Sequence, residues 1–222
     1  MSVKVIYFDA VGTLIHLPKG VGFHYADVAR RQGYDFPAND FERAFFEIYR
    51  EMPARPASHA PRPDDDKGWW RELVERVLDR CGIAESELNR NTYFEEVYDH
   101  FSHPGVWELF PEVRGVIEAL ESRVTLGIIS NFDGRLRMIL EQFGLLTCFS
   151  HIVISSEVGA DKPDPWIFEH ALSLANAWPE EALYVGDDPQ RDWEAAEAVG
   201  LRLFKVNRPA NSLRQLLALA GR

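Results

Sequence analysis

Five short apolar runs punctuate the chain, at 3–8, 124–129, 151–154, 182–185 and 201–206. Each is rich in β-branched or aromatic residues and ends in polar or turn residues. Runs of that length read as strands buried on both faces, the pattern of a parallel sheet. Helical patterns lie between them. Leu136, Ile139, Leu140 and Phe143 recur at i, i+3, i+4 and i+7, with Asp133 as a candidate N-cap and Gly144 just past the end. Strand alternating with helix predicts right-handed crossovers and an α/β sheet whose ligands bind beyond the carboxyl ends of the strands.

From about 17 to 103 that rhythm stops. Phe41, Phe45 and Ile48 have helical spacing, as do Trp70, Leu73, Val74, Val77, Leu78 and Cys81. This second stripe reads as packing, not as a cofactor box. Between the two helices lies 53–63, with prolines at 53, 56, 61 and 63, followed by Asp64, Asp65 and Asp66. Such a stretch predicts an exposed loop, its acids solvated and favourably placed before a helix N-terminus. The expected organisation is an α/β core from 1–16 and 104–222, with a helical insert at 17–103. Histidines 24, 59, 100, 103, 151 and 170 form no spaced metal cluster and read as surface or packing residues.

Charge narrows the function. Lys and Arg number 24 against 35 Asp and Glu, a net charge of −11. That excludes the basic footprint of a nucleic-acid binder and disfavours an anionic membrane surface. At 46% hydrophobic and 27% charged, the chain has the composition of a folded protein. Cys81 and Cys148 are too few for a disulfide framework, which suits a reducing, cytoplasmic setting. The N-terminal apolar run breaks at Asp9 and carries no signal-peptide pattern, and no run reaches the length of a membrane span.

The chemistry gathers at the strand ends. Asp9 closes the first run, Ser130 and Asn131 the second; Lys162 follows the third, and Asp187, Asp188 and Asp192 follow the fourth. Adjacent parallel strands present their ends on one rim, so these residues are expected to converge. A carboxylate can attack an electrophile and form an aspartyl intermediate. Mg²⁺ takes oxygen ligands, which Asp9, the Val11 carbonyl and Asp187 can supply. Ser130 can donate to a transferring phosphoryl group, and Lys162 can neutralise its charge.

These four motifs, in this order, resemble the haloacid dehalogenase superfamily, with its helical cap inserted after the first motif. The likeness is greatest to the haloacid dehalogenase-like hydrolase domain-containing protein three subgroup, in Phe101 to Pro104, Ile129 to Asp133 and Lys162 to Pro165. The resemblance implies a Rossmann-like parallel sheet flanked by helices, a phosphorylated small-molecule substrate and Mg²⁺. It implies Asp9 as nucleophile and metal ligand, Ser130 and Asn131 around the phosphoryl group, and Lys162 paired with both. It implies Asp187 as the direct metal acid, with Asp188 or Asp192 acting through water or a neighbouring ligand. Ala10, Val11 and Thr13 would lie along the substrate.

One departure matters. Family phosphatases usually carry a second aspartate two residues after the nucleophile, to protonate the leaving oxygen and activate water. Here that position is Val11, which retains a carbonyl for the metal but no acid. Losing a general acid typically costs about 10² to 10⁴ in rate. Three classes follow: a slow or restricted Mg²⁺-dependent phosphatase, a binding or regulatory protein on the same fold, and a 2-haloacid dehalogenase. Dehalogenases resemble Phe8 to Leu14 except for a tyrosine at position 11, but typically carry Ser and Asn at 187 and 188. The oligomeric state is left open.

Overall fold

The computed structural model describes residues 3–219. Its strands are β1 (Val5–Phe8), β2 (Ile15–His16), β3 (Glu108–Leu109), β4 (Thr125–Ser130), β5 (His151–Ile154), β6 (Ala182–Gly186) and β7 (Arg202–Lys205). Five of them form one sheet in the order β5-β4-β1-β6-β7, and every pairing is parallel. β2 and β3 form a separate two-stranded sheet. β1 sits centrally and all four of its residues are buried, which explains its unbroken apolar run. Its side chains alternate: Val5 and Tyr7 join a cluster with Ile167, Phe168, Ala171 and Ala196, while Phe8 meets Phe149 at 6.3 Å. Burying each large side chain of this kind contributes roughly 1.5–3 kcal/mol.

The α-helices are α1 (Gly20–Arg31), α2 (Ala38–Glu51), α3 (Lys67–Arg80), α4 (Arg90–His100), α5 (Val113–Glu121), α6 (Arg135–Gln142), α7 (Ser155–Val158), α8 (Pro165–Ala175), α9 (Ala195–Ala198) and α10 (Leu216–Leu219). Asp164 caps α8 by accepting from the Trp166 amide at 2.9 Å, with Pro165 in the first turn. Asp133 lies one residue before the position expected of a cap. Its Oδ1 still accepts from the Arg135 amide at 3.1 Å, and Gly144 follows α6 at φ +66°.

The chain forms two compact units. One comprises Met1–His16, Arg55–Asp65 and Leu109–Arg222; the other comprises Leu17–Ala54 and Asp66–Glu108. The second contains α1 to α4, and the apolar stripe of α3 is its packing: Leu73, Val74, Val77 and Leu78 are buried with Phe41, Ile48, Tyr93 and Phe94. No helix among the described residues is long and apolar enough to cross a membrane.

Beside the expected insert at 17–103, the helical unit runs to Glu108, and Arg55–Asp65 groups with the α/β unit. The acids that follow are not simply solvated. Asp65 accepts from the Gly134 amide at 2.8 Å and from the Ser156 hydroxyl at 2.5 Å, and Asp66 is buried in a left-handed conformation at φ 62°. Proline density and charge signal a loop, but they carry no information on which distant groups that loop satisfies.

Candidate active site

Parallel register brings three strand ends together. Phe8 pairs with Ile128 of β4 on one side and Val185 of β6 on the other. Asp9 follows, its amide donating to the Val185 carbonyl at 2.8 Å. The chain then turns tightly: the amides of Leu14 and Ile15 donate to the Ala10 carbonyl at 2.8 and 2.9 Å. Gly12 occupies φ +93°, and a β-carbon there would run into the Asp187 carboxylate, so glycine is required on two counts. Ala10 and Thr13 are buried, and Thr13 Oγ1 donates to Asp187 Oδ1 at 2.9 Å. The Val11 side chain is 41% exposed.

Lys162 lies at the centre of the cluster. It is buried, and its Nζ donates to Asp9 Oδ1 at 2.7 Å, Asp192 Oδ1 at 2.6 Å and the Tyr184 hydroxyl at 2.8 Å. The Asn131 side-chain amide engages the Lys162 backbone. Its Nδ2 donates to the Lys162 carbonyl at 2.8 Å and its Oδ1 accepts from the Lys162 amide at 2.6 Å. Ser130 is buried at the end of β4.

The acids after β6 separate into distinct roles. Asp192, on a helical turn at Pro189–Glu194, points back into the cluster: its Oδ2 accepts from the amides of Asp187 and Asp188, both at 3.0 Å. Asp188 turns away and caps that helical turn, accepting from the amides of Gln190 and Arg191 at 2.9 and 2.8 Å. Of the two acids the sequence left open, only Asp192 reaches the other carboxylates.

Ligand atoms of Asp9, Asp187 and Asp192 all lie within 4.8 Å of one another. Burial pushes Asp9 up to about 7; Lys162 opposes this, and Asp192 and Asp187 add to it. Burial likewise raises Asp187, with Asp192 contributing. Burial alone would lower Lys162, but Asp9 and Asp192 hold it above its ordinary value. Three carboxylates thus face one ammonium, and hard oxygen donors so arranged fit a divalent cation. Asp192 already serves Lys162, Tyr184 and two amides. Asp9 Oδ1 accepts from Lys162 and Asp187 Oδ1 from Thr13.

Two contributors escaped the sequence reading. Tyr184, fully buried in β6, donates to Asp192 Oδ1 at 2.8 Å while accepting from Lys162. Its one signal was a hydroxyl in an otherwise apolar strand, where it must find a partner. Arg208 donates to the carbonyls of Gly12 and Thr13 at 3.0 and 3.1 Å and to Glu112 at 2.7 Å, bracing the turn after the nucleophile. Nothing local in the sequence marks it.

Residues 70–206 match the family model for haloacid dehalogenase-like hydrolases. The chain belongs to that family and has the fold of its hydrolases. It is 31% identical over 211 residues to haloacid dehalogenase-like hydrolase domain-containing protein 3 of Bos taurus, covering 94% of this chain and 84% of that protein. Among solved structures, a defluorinating L-2-haloacid dehalogenase superposes with a TM-score of 0.82 at 20% identity, covering 99% of this chain and 96% of that one. The HAD-hydrolase YfnB of Bacillus subtilis, bound to magnesium, superposes with a TM-score of 0.79 at 15% identity over 100% of both chains. At those identities the likeness is one of fold.

Proposed function

We propose that the protein is a Mg²⁺-dependent phosphatase acting on small phosphorylated molecules through an aspartyl-phosphate on Asp9. The supporting observation is the meeting of Asp9, Asp187 and Asp192 around buried Lys162. In this reading an Asp9 carboxylate oxygen attacks phosphorus, and the bond to the leaving oxygen breaks with its electron pair. Water then attacks the same phosphorus, and Asp9 leaves as a carboxylate with release of inorganic phosphate. Ser130 donates to the phosphoryl oxygens, the loop at Ala10, Val11 and Thr13 lies along the substrate, and Lys162 balances charge on the phosphoryl group. Asp9, Asp187 and the Val11 carbonyl would hold Mg²⁺, which when bound neutralises charge on the carboxylates and the phosphoryl group. Asp192 acts through Lys162 and the amides of Asp187 and Asp188, and Asp188 through its cap.

No acid at position 11 can protonate the departing oxygen. Acyl and aryl phosphates, whose leaving groups depart without a proton, are therefore the expected substrates. Three acids around one lysine also disfavour a 2-haloacid substrate, since its carboxylate would meet like charge without a cation. Cys81 and Cys148 are both free, which suits a cytoplasmic setting.

The test is hydrolysis of p-nitrophenyl phosphate with and without Mg²⁺, in the parent and in Asp9→Asn. Mg²⁺-dependent turnover that vanishes in Asp9→Asn is expected. Mg²⁺ binding without turnover would shift the reading to a binding protein. Metal-free release of halide from a 2-haloacid would replace it with a dehalogenase.

A further inference from the structure

The segment Arg55–Asp65 belongs to the insertion by sequence and to the α/β unit by packing. Its anchoring is extensive. The amides of Ser58 and His59 donate to the Gly159 carbonyl at 2.8 and 3.3 Å, and the Arg62 amide donates to the Ser156 carbonyl at 2.8 Å. The approach is close enough that a β-carbon on Gly159 would collide with the Ala60 carbonyl. The His59 ring stacks on Trp166 at 4.6 Å. Two guanidinium groups converge on one carboxylate: Arg55 donates to Asp161 through Nε at 3.0 Å and Nη2 at 2.7 Å, and Arg62 through Nη2 at 2.9 Å. The three side chains are only 11%, 10% and 16% exposed. Charges so withdrawn from water are costly to leave unpaired, which makes the clasp specific in its geometry.

The carboxylate they hold is on the residue before Lys162. The Lys162 backbone is held from one side by Asn131 and, through Asp161, from the other by the two arginines. Its ammonium must reach Asp9 and Asp192 at 2.6–2.7 Å, a fit with little tolerance. We infer that Arg55 and Arg62 are positioning residues: through Asp161 they set the loop that aims Lys162 at Asp9. The aim of the lysine is thereby decided by a strap from the insertion as well as by the core sheet. The chain on both sides of the strap belongs to the helical unit.

This inference rests on the phosphatase reading for its kinetic test alone. The variants are Arg55→Met/Arg62→Met and, as an isosteric second route should the first not fold, Asp161→Asn. Site-resolved amide exchange at Lys162, melting temperature, and kcat and KM for p-nitrophenyl phosphate with Mg²⁺ are compared with the parent. Exchange at Lys162 should quicken by about tenfold or more as the local unit loosens. The kcat should fall by about tenfold to a hundredfold with KM little changed, the scale expected when a catalytic group is displaced. Arg55→Lys/Arg62→Lys, which keeps the charges but not the forked geometry, should recover part of both. A lower melting temperature with Lys162 exchange and kcat unchanged would reduce the strap to a structural role and overturn the inference. If the parent turns over no phosphate ester, the phosphatase reading fails and the Lys162 exchange rate decides the inference alone.

Discussion

Asn131 holds the backbone of Lys162 at both ends of one residue, its amide nitrogen donating to the carbonyl and its amide oxygen accepting from the N–H. The end of β4 is thereby joined to the loop after α7, and the lysine is delivered to Asp9 as part of a rigid pair. Replacing Asn131 with Ala should leave a Lys162 amide and carbonyl without those partners and loosen the lysine. The expected loss is about 1–3 kcal/mol of stability, with kcat for p-nitrophenyl phosphate reduced and substrate affinity less affected. Denaturant titration alongside steady-state kinetics checks this. Unchanged kcat would show that Lys162 keeps its aim without Asn131.

Position 11 offers a gain of function. The Val11 side chain is 41% exposed in the loop after the nucleophile, so an aspartate there loses little solvation. Val11→Asp should raise turnover of alkyl phosphate esters, by up to about 10² or more if proton transfer limits the parent. Aryl phosphates, with better leaving groups, should gain less. A panel of both ester types in the two proteins makes the comparison. Alkyl ester turnover staying at background would mean that another step is limiting.

Tyr184 links Lys162 to Asp192 from below, inside the sheet. Tyr184→Phe keeps the ring packed against Phe168 at 5.3 Å but removes the hydroxyl. Lys162 then retains two carboxylate partners, so turnover should change little, while stability falls by about 1–3 kcal/mol because a buried donor loses an acceptor. Urea midpoints and kcat, measured together, distinguish this from a direct catalytic contribution, which would lower kcat without moving the midpoint.

In the helical unit, His24 and His100 are buried and face each other, with His24 Nδ1 3.0 Å from His100 Nε2. Arg31 Nη2 lies 3.2 Å from His100 Nδ1. Arginine only donates, so His100 accepts at Nδ1 and donates from Nε2 to His24. Burial, then the neighbouring His24 and Arg31, hold His100 down to about 4, with His103 adding and Asp27 opposing. Burial and Lys19 lower His24 as well, again against Asp27. The unfolded chain, with histidines at the ordinary 6.5, takes up protons first as pH falls. This pair therefore contributes stability that is complete above 6.5 and is lost as pH drops toward about 4. The parent should lose more melting temperature over that interval than His24→Gln/His100→Gln. Parallel pH profiles would sink the idea.

Elements with one dominant period were legible from the chain alone. The strands at Val5–Phe8 and His151–Ile154 and the stripe of α3 follow from short apolar runs, β-branching and 3.6-residue spacing, which are local properties. Asp9, Ser130, Lys162 and Asp187 were legible because each ends, or shortly follows, an apolar run, and parallel strands present those ends on one rim. The absence of an acid at position 11 is likewise a sequence fact. What only the tertiary structure decided depends on contacts between residues far apart along the chain. Asp192 turns inward and Asp188 caps its own helix because two amides and a buried lysine compete for their oxygens. Asp65 and Asp161, acids on a loop by composition, are drawn from water because Gly134, Arg55 and Arg62 meet them at hydrogen-bonding distance. Composition specifies how many charges a segment carries; burial and the partners that satisfy them emerge only when the chain is folded.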